Sequence, residues 1–192
     1  MAKIVIATVA EKGAGKGLFI EIVKKLLPDK KVMSVRFSDI WREILYLLNK
    51  EESRENISNL ATAIRTLFKD EGVLVGAMEK RLAQIDADIA ILDGLRKPEE
   101  IPLVRSRKGI LVYIAASPEI RFQRRSQHAE TTDERGMDWE QFARQDEMAP
   151  EAAIHAIGET MADYRIDNNR RVEEFEEKVK EFLQRYNLRA PE

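Results

Sequence analysis

The 192-residue sequence contains no cysteine, which excludes disulfides, thiolate metal sites and a cysteine nucleophile. No run approaches the ~20 apolar residues needed to cross a bilayer. The apolar stretch near the start is too short for a signal-peptide core, so a soluble, cytoplasmic chain is expected. Histidine is scarce: His128 and His155 are the two present. Neither stands in metal-ligand or triad spacing, and both read as surface residues. A net charge of −2 exerts no global pull toward nucleic acid or a membrane, so neither is expected as a partner. Repeats, low-complexity tracts and Gly/Ser linkers are also missing, and at this length one domain with room for a small insertion is expected. Hydrophobic residues at 44% suffice for a core. Charged residues at 34% exceed the ordinary level of roughly 25%, which predicts helices with densely charged outer faces.

Against these absences one stretch stands out, Lys3–Lys25. Lys3–Val9 is apolar and rich in β-branched residues, Ala10–Gly17 (AEKGAGKG) is rich in glycine, and an apolar stripe at helical spacing follows. This is the layout of a phosphate-binding loop, in which backbone N–H groups and a helix N-terminus meet an anion. Against the pattern G-x-x-x-x-G-K-[ST] the segment departs at Ala10 and Gly17 and retains Gly13-Ala14-Gly15-Lys16. A lysine at a helix start opposes the helix dipole, so Lys16 is expected to serve a triphosphate. The plainer alternative is a glycine-rich turn with a solvated lysine.

Further along, Leu18, Phe19, Ile22, Val23, Leu26 and Leu27 form one helical face that ends at Pro28. Lys31–Phe37 reads as a second strand, with Ser38 or Asp39 capping a helix that buries Ile40, Trp41, Ile44, Leu45 and Leu48. Asn49–Asn56 reads as a loop, followed by helices over Ile57–Lys69 and Val73–Ile85. Asp88–Gly94 is an apolar strand ending in an acid. Pro98–Ser106 reads as a short connection, Gly109–Ala116 as another buried strand, and Pro118 opens a helix. Arg124–Asp138 has no apolar periodicity and reads as an exposed loop. Trp139–Met148 is expected as helix, Ala162–Ile166 as a last short strand, and Val172, Phe175, Val179, Phe182 and Leu183 as a closing amphipathic helix. Alternating strands and helices predict an α/β fold with a parallel sheet covered on both faces. Ligands of such sheets lie beyond the carboxyl ends of the strands, which selects Ala10–Gly17, Ser38–Arg42, Asp93–Arg96, Ser117–Arg125 and Asp167–Asn169.

Within that set Asp93 is suited to hold Mg²⁺, directly or through water, or else is an ordinary Asp-Gly turn. Asp39 caps a helix or contacts substrate. Arg42 and Arg96 present the planar fork that suits phosphate, with a solvated face as the alternative for Arg42. Arg65 sits on a helix where it can point either way. Arg121, Arg124, Arg125, Arg135 and Arg144 form a basic cluster able to close over phosphates, or a solvated charged loop. Asp146 and Glu147 are expected to orient these arginines by ion pairs.

Together these residues resemble the P-loop nucleoside monophosphate kinases. Gly13–Gly17 (GAGKG) matches the adenylate kinase form of the loop, in which glycine follows the lysine. Ser38–Arg42 (SDIWR) resembles the family's G-D-x-x-R segment, and Asp93–Arg96 (DGLR) the segment ending the third strand. Arg124, Arg125 and Phe142–Glu147 resemble the lid and its exit, and Arg165–Asn169 the segment that brackets the base. The DGLR form is also similar to dephospho-coenzyme A kinases and deoxynucleoside monophosphate kinases. The resemblance implies a three-layer P-loop NTPase fold with a five-stranded parallel sheet in a single domain. Its core would be residues 1–38, 87–123 and 149–192, with a substrate-binding helical insertion over 39–86 and a lid over 124–148.

By the same resemblance, the γ-phosphoryl of Mg·ATP passes to a nucleoside or deoxynucleoside monophosphate. Gly13, Ala14, Gly15, Lys16, Gly17, Leu18 and Asn168 would hold ATP. Asp39, Arg42, Arg65 and Arg96 would hold the acceptor, Arg124, Arg125 and Arg144 would close on the transition state, and Asp93 would hold Mg²⁺. Two alternatives stay open. A dephospho-coenzyme A kinase-like enzyme would need Asp39 as base for a ribose hydroxyl. A non-catalytic ATP-binding module is suggested by Ala10 and Leu18, where relatives place glycine and threonine; Ala10 matters only if its backbone needs positive φ. The oligomeric state, monomer or homodimer, is left open.

Overall fold

The computed structural model describes residues 4–127 and 138–188. Their order is β1 (Ile4–Val9), α1 (Lys16–Leu26), β2 (Val32–Val35), α2 (Phe37–Leu47), α3 (Arg54–Phe68), α4 (Val75–Gln84) and β3 (Ile89–Leu92). A 3-10 turn at Pro98–Glu100 leads into α5 (Ile101–Ser106). β4 (Ile110–Ala115), α6 (Pro118–Gln127), α7 (Trp139–Asp146), α8 (Ala149–Met161), β5 (Tyr164–Asp167) and α9 (Val172–Arg185) follow.

The five strands form one parallel sheet in the order β2-β3-β1-β4-β5. Period-two alternation divides its side chains between two cores. Val5, Ala7 and Val9 of β1 and Leu111, Tyr113 and Ala115 of β4 pack with residues of α2, α4, α5 and α8. Ile6 of β1 and Val112 and Ile114 of β4 face α1 and α9, where Phe19, Val23, Phe175, Val179 and Phe182 are buried. Because both faces are covered, the central strands β1, β3 and β4 read as near-continuous apolar runs.

Several boundaries differ from expectation. β2 ends at Val35, so Phe37 opens α2 and Arg36 is its N-cap; Asp39 lies at the third helical position. α3 starts inside the expected loop, at Arg54, because the Ser53 side chain accepts the Asn56 N–H. The connection before β4 contains the short helix α5. Arg124 and Arg125 are not in a loop but in the last turn of α6; His128 and Arg135 lie outside the described residues. α8 has no counterpart among the expected elements. Its Pro150 sits in the first turn, where the missing N–H costs nothing, and its apolar contribution is the pair Ile154 and Ile157.

α8 approaches β4 through Gly158, where a Cβ would lie 2.4 Å from Tyr113 Cδ2 and 2.6 Å from Cε2 and Cγ. Tyr113 is fully buried and cannot give way. Gly158→Ala is expected to destabilise the fold by about 2–3 kcal/mol through overpacking. The corresponding loss in thermal unfolding is roughly 4–12 °C in Tm, and an unchanged Tm would show that α8 is free to shift.

Candidate active site

β1 delivers the chain into Ala10–Gly15 and α1 begins at Lys16, with Gly15 as N-cap at φ 103°. Gly13 and Gly15 both adopt positive φ, the conformation that lets a loop present successive N–H groups toward an anion. The N-cap has no side chain to spend on the first-turn amides, and that turn carries no acid. The loop therefore presents a helix N-terminus with its donors and dipole available. Ala10, in contrast, is not among the residues with positive φ, so its methyl group causes no strain and glycine is not required there. Leu18 packs against the α1–α9 core.

The loop is held from behind. Asn168 is buried at the end of β5, and its Nδ2 donates to Ala14 O at 2.8 Å. Arg124 Nη2 donates to Asn168 O at 2.9 Å and to Asn168 Oδ1 at 3.3 Å. In this structure both residues spend their bonds on the loop and its support.

Asp93 stands at the carboxyl end of β3, fixed by its own N–H to Val35 O at 2.8 Å. The neighbouring Gly94 N–H donates to Thr8 Oγ1 at 3.0 Å. Lys16 Nζ donates to Asp93 Oδ1 and Arg36 Nε to Asp93 Oδ2. Burial alone would raise the Asp93 carboxyl, but the two cations overcome it and hold the group below the ordinary carboxylate value. Three strand ends, β1 through its loop, β2 and β3, thus converge on one charge cluster. Arg36 is the member not anticipated from sequence, although it is the first residue beyond β2, where the sheet rule points.

The other candidates are more dispersed. Asp39 Oδ2 accepts the backbone N–H of Arg36 at 3.1 Å. Arg42 faces Glu52 at 3.8 Å and Arg96 faces Glu151 at 3.5 Å, both pairs half-exposed on the arginine side. Arg65 lies 5.9 Å from the Trp41 ring centroid and 3.9 Å from Glu71. Arg125 lies over Phe142 and 3.5 Å from Gln145 Oε1. Arg144 pairs with Glu140 at 4.0 Å on the exposed side of α7. The ion pair expected of Asp146 is present. It receives both terminal nitrogens of the buried Arg121, one of them at 2.6 Å. His155 does not stand alone: its Nδ1 lies 2.9 Å from Glu11 Oε1 and 3.1 Å from the Tyr113 hydroxyl.

Behind Arg96, the buried Glu100 Oε2 accepts the N–H groups of Arg96 at 2.8 Å and Lys97 at 3.2 Å. Burial raises the Glu100 carboxyl despite those two bonds. A folded-state value above the unfolded one means stability is lost as pH rises from about 4.5 through the folded value. Gln at this position keeps an accepting oxygen without the charge. The Tm advantage of Glu100→Gln over the natural chain is therefore expected to be larger at pH 7.5 than at pH 4.5. A constant difference would remove burial as the cause.

No model of a protein family matches the sequence. The chain is 29% identical over 188 residues to a UPF0200 protein of Sulfurisphaera tokodaii, covering 94% of this chain and 96% of that one. A UPF0200 protein of Hyperthermus butylicus is 28% identical over 186 residues, covering 95% of each. Among solved structures, a shikimate kinase from Bacteroides thetaiotaomicron superposes with a TM-score of 0.61 at 15% identity, covering 96% of this chain and 98% of that one. A gluconokinase from Sinorhizobium meliloti 1021 gives 0.58 at 11%, covering 97% and 95%. The chain has the P-loop kinase fold. That finding carries the expected architecture, but it does not single out the nucleoside monophosphate kinases among the proteins that share it.

Among the described residues no group of three His, Asp or Glu could hold a metal ion unaided. A divalent ion here would depend on Asp93, water and substrate phosphates, which is how Mg²⁺ is commonly bound. The donor set fits that ion. No helix among the described residues is long and apolar enough to cross a membrane.

Proposed function

We propose that this chain is an ATP-dependent phosphotransferase acting on a nucleoside or deoxynucleoside monophosphate. The observation that carries the reading is the cluster of Lys16, Asp93 and Arg36 at the mouth of the phosphate loop. In the free chain Lys16 neutralises Asp93. A triphosphate seated on the loop amides offers Lys16 a denser negative charge, and the lysine moves to its β/γ oxygens. Asp93 would then hold Mg²⁺ through water, and the ion, when bound, would neutralise charge on the transferring phosphoryl.

On the acceptor side Arg36, Arg42 and Arg96 lie beyond β2 and β3. The long pairs of Arg42 and Arg96 with acids are weak in partly exposed positions. Both arginines are free to rotate onto an acceptor phosphate, with Arg65 behind them. The acceptor phosphate oxygen attacks Pγ in line, the bond from Pγ to the bridging oxygen breaks, and ADP departs. An anionic acceptor needs no base. That suits Asp39, one of whose oxygens is committed to the Arg36 backbone. Arg124 and Arg125 on α6 and Arg144 on α7 would supply further positive charge as those helices adjust to the nucleotide.

The test incubates purified protein with Mg·ATP and a panel of ribo- and deoxynucleoside monophosphates, dephospho-coenzyme A, shikimate and gluconate, with ADP and product measured. Turnover of a monophosphate is expected. Turnover confined to a hydroxyl acceptor, or ATP binding with no transfer to any acceptor, would overturn the assignment.

A further inference from the structure

The phosphate loop is fastened at both ends of one turn. The Ala14 N–H donates to Glu11 O at 3.1 Å, closing a turn that contains Gly13 at positive φ. A turn built on such a glycine is soft by itself. Asn168 holds its far end through Ala14 O. Its near end is held by the buried Glu11 side chain, whose Oε1 accepts the Tyr113 hydroxyl at 2.8 Å. The sheet register explains the meeting: Val9 of β1 and Tyr113 of β4 are partners facing the same core, and Glu11 lies two residues beyond Val9.

Tyr113 makes a rigid post. Its ring is buried, Gly158 of α8 lies against it, and the Arg165 guanidinium stands 5.4 Å from its centroid. Burial, then the bond to Glu11, raises the hydroxyl above its ordinary value, so it stays protonated and stays a donor. His155 Nδ1 lies 2.9 Å from the same Glu11 oxygen, but its side chain is 61% exposed and the contact is screened. Tyr113 is therefore the stronger of the two anchors. An acid here also carries a cost. The triphosphate expected on this loop is anionic, and a carboxylate a few residues before Lys16 opposes it. Holding the loop in the shape that presents its N–H groups is a use that offsets this repulsion, and an uncharged acceptor would serve the same use.

We propose that Glu11 is a positioning residue for the nucleotide: through Tyr113 it fixes the phosphate loop, touching neither ATP nor the acceptor. The inference rests on the reading of the loop as a triphosphate site, whichever acceptor the chain phosphorylates.

The test titrates a non-hydrolysable Mg·ATP analogue into the full chain by calorimetry. Steady-state kinetics on the monophosphate that turns over and thermal unfolding accompany it. Glu11→Ala is expected to weaken the analogue by about tenfold or more, the scale of one hydrogen bond to a charged group. Tyr113→Phe, which keeps the ring and loses only the hydroxyl, should do the same. KM for ATP should rise in step, while KM for the monophosphate, received beyond β2 and β3, should stay as in the natural chain. Glu11→Gln keeps an accepting oxygen and should recover most of the affinity lost in Glu11→Ala. The double variant Glu11→Ala with Tyr113→Phe should bind no more weakly than the weaker single, because both remove one bond. Glu11→Gln no better than Glu11→Ala, additive losses in the double variant, or an equal rise in both KM values would overturn the proposal. A lowered Tm with unchanged affinity would do so too, since it would leave Glu11 a purely structural part. Binding by the natural chain that Glu11→Ala and Tyr113→Phe leave unaltered overturns this inference alone, whereas a natural chain that binds no analogue overturns the reading of the loop with it.

Discussion

Lys16→Met is expected to reduce phosphoryl transfer by about 10²–10³-fold, the loss that follows removal of one preorganised charge-stabilising donor, while the chain remains folded. The fold survives because Lys16 is one of two cations on Asp93. With the lysine gone, Arg36 still donates to Oδ2, and the expected loss of stability is about 1–2 kcal/mol. Arg36→Met should cost less, under about 1 kcal/mol, because that side chain is 56% exposed and its interaction is screened. The double variant differs in kind. Asp93 would be a buried carboxylate with neither cation, and breaking a buried pair outright costs roughly 3–5 kcal/mol.

Denaturant unfolding of the four proteins measures this, and a double loss equal to the sum of the singles would show that the cations do not share one charge. The pH dependence gives an independent reading. Asp93 has a depressed folded value, so its contribution is present above the ordinary carboxylate value of 3.8 and lost as pH falls through the lower folded value. In the double variant that contribution should vanish and the remaining cost should grow as pH rises.

How much of this was legible in the sequence depended on whether a residue's role was local. The central strands were legible because burial on both faces forces unbroken apolar runs such as Ile89–Leu92. The phosphate loop was legible because glycines between a strand and a helix have few other uses. Arg36 left no such trace: a single charged residue between strand and helix has no period, and only the convergence of β2 with β3 gives it a partner. Arg121 misled in the opposite direction. It occupies a buried position on α6 where an apolar residue would have announced a helix, and its burial is made possible by Asp146, 25 residues away. The last turn of α6 consequently read as loop. α8 was silent because it packs by close approach at Gly158 rather than by a broad apolar stripe. Glu11 was silent because a single acid ahead of the first loop glycine has no pattern of its own, and its partners Tyr113 and His155 lie on β4 and α8.

Gly15→Ala is expected to be among the most damaging single changes outside the apolar core. Two independent effects combine there. At φ 103° an L-residue is strained, and strain of that type costs about 1–3 kcal/mol. The added Cβ would also fall 2.2 Å from Asn168 Nδ2, and Asn168 cannot yield without releasing Ala14 O, which it holds at 2.8 Å. The combined loss should be about 2–4 kcal/mol, visible as a drop of roughly 4–16 °C in Tm. The two effects can be separated with Asn168→Ala. Alone it removes the clash partner but leaves Ala14 O unpaired, at about 1–3 kcal/mol. Combined with Gly15→Ala, it should cost clearly less than the sum of the singles, because neighbours that share a contact are not additive. Additive losses would instead place the whole cost of Gly15→Ala in the backbone. Nucleotide binding distinguishes the variants further. Relief of the clash cannot restore the positive φ that aims the loop's N–H groups, so the double variant should recover stability relative to that sum but not affinity for ATP.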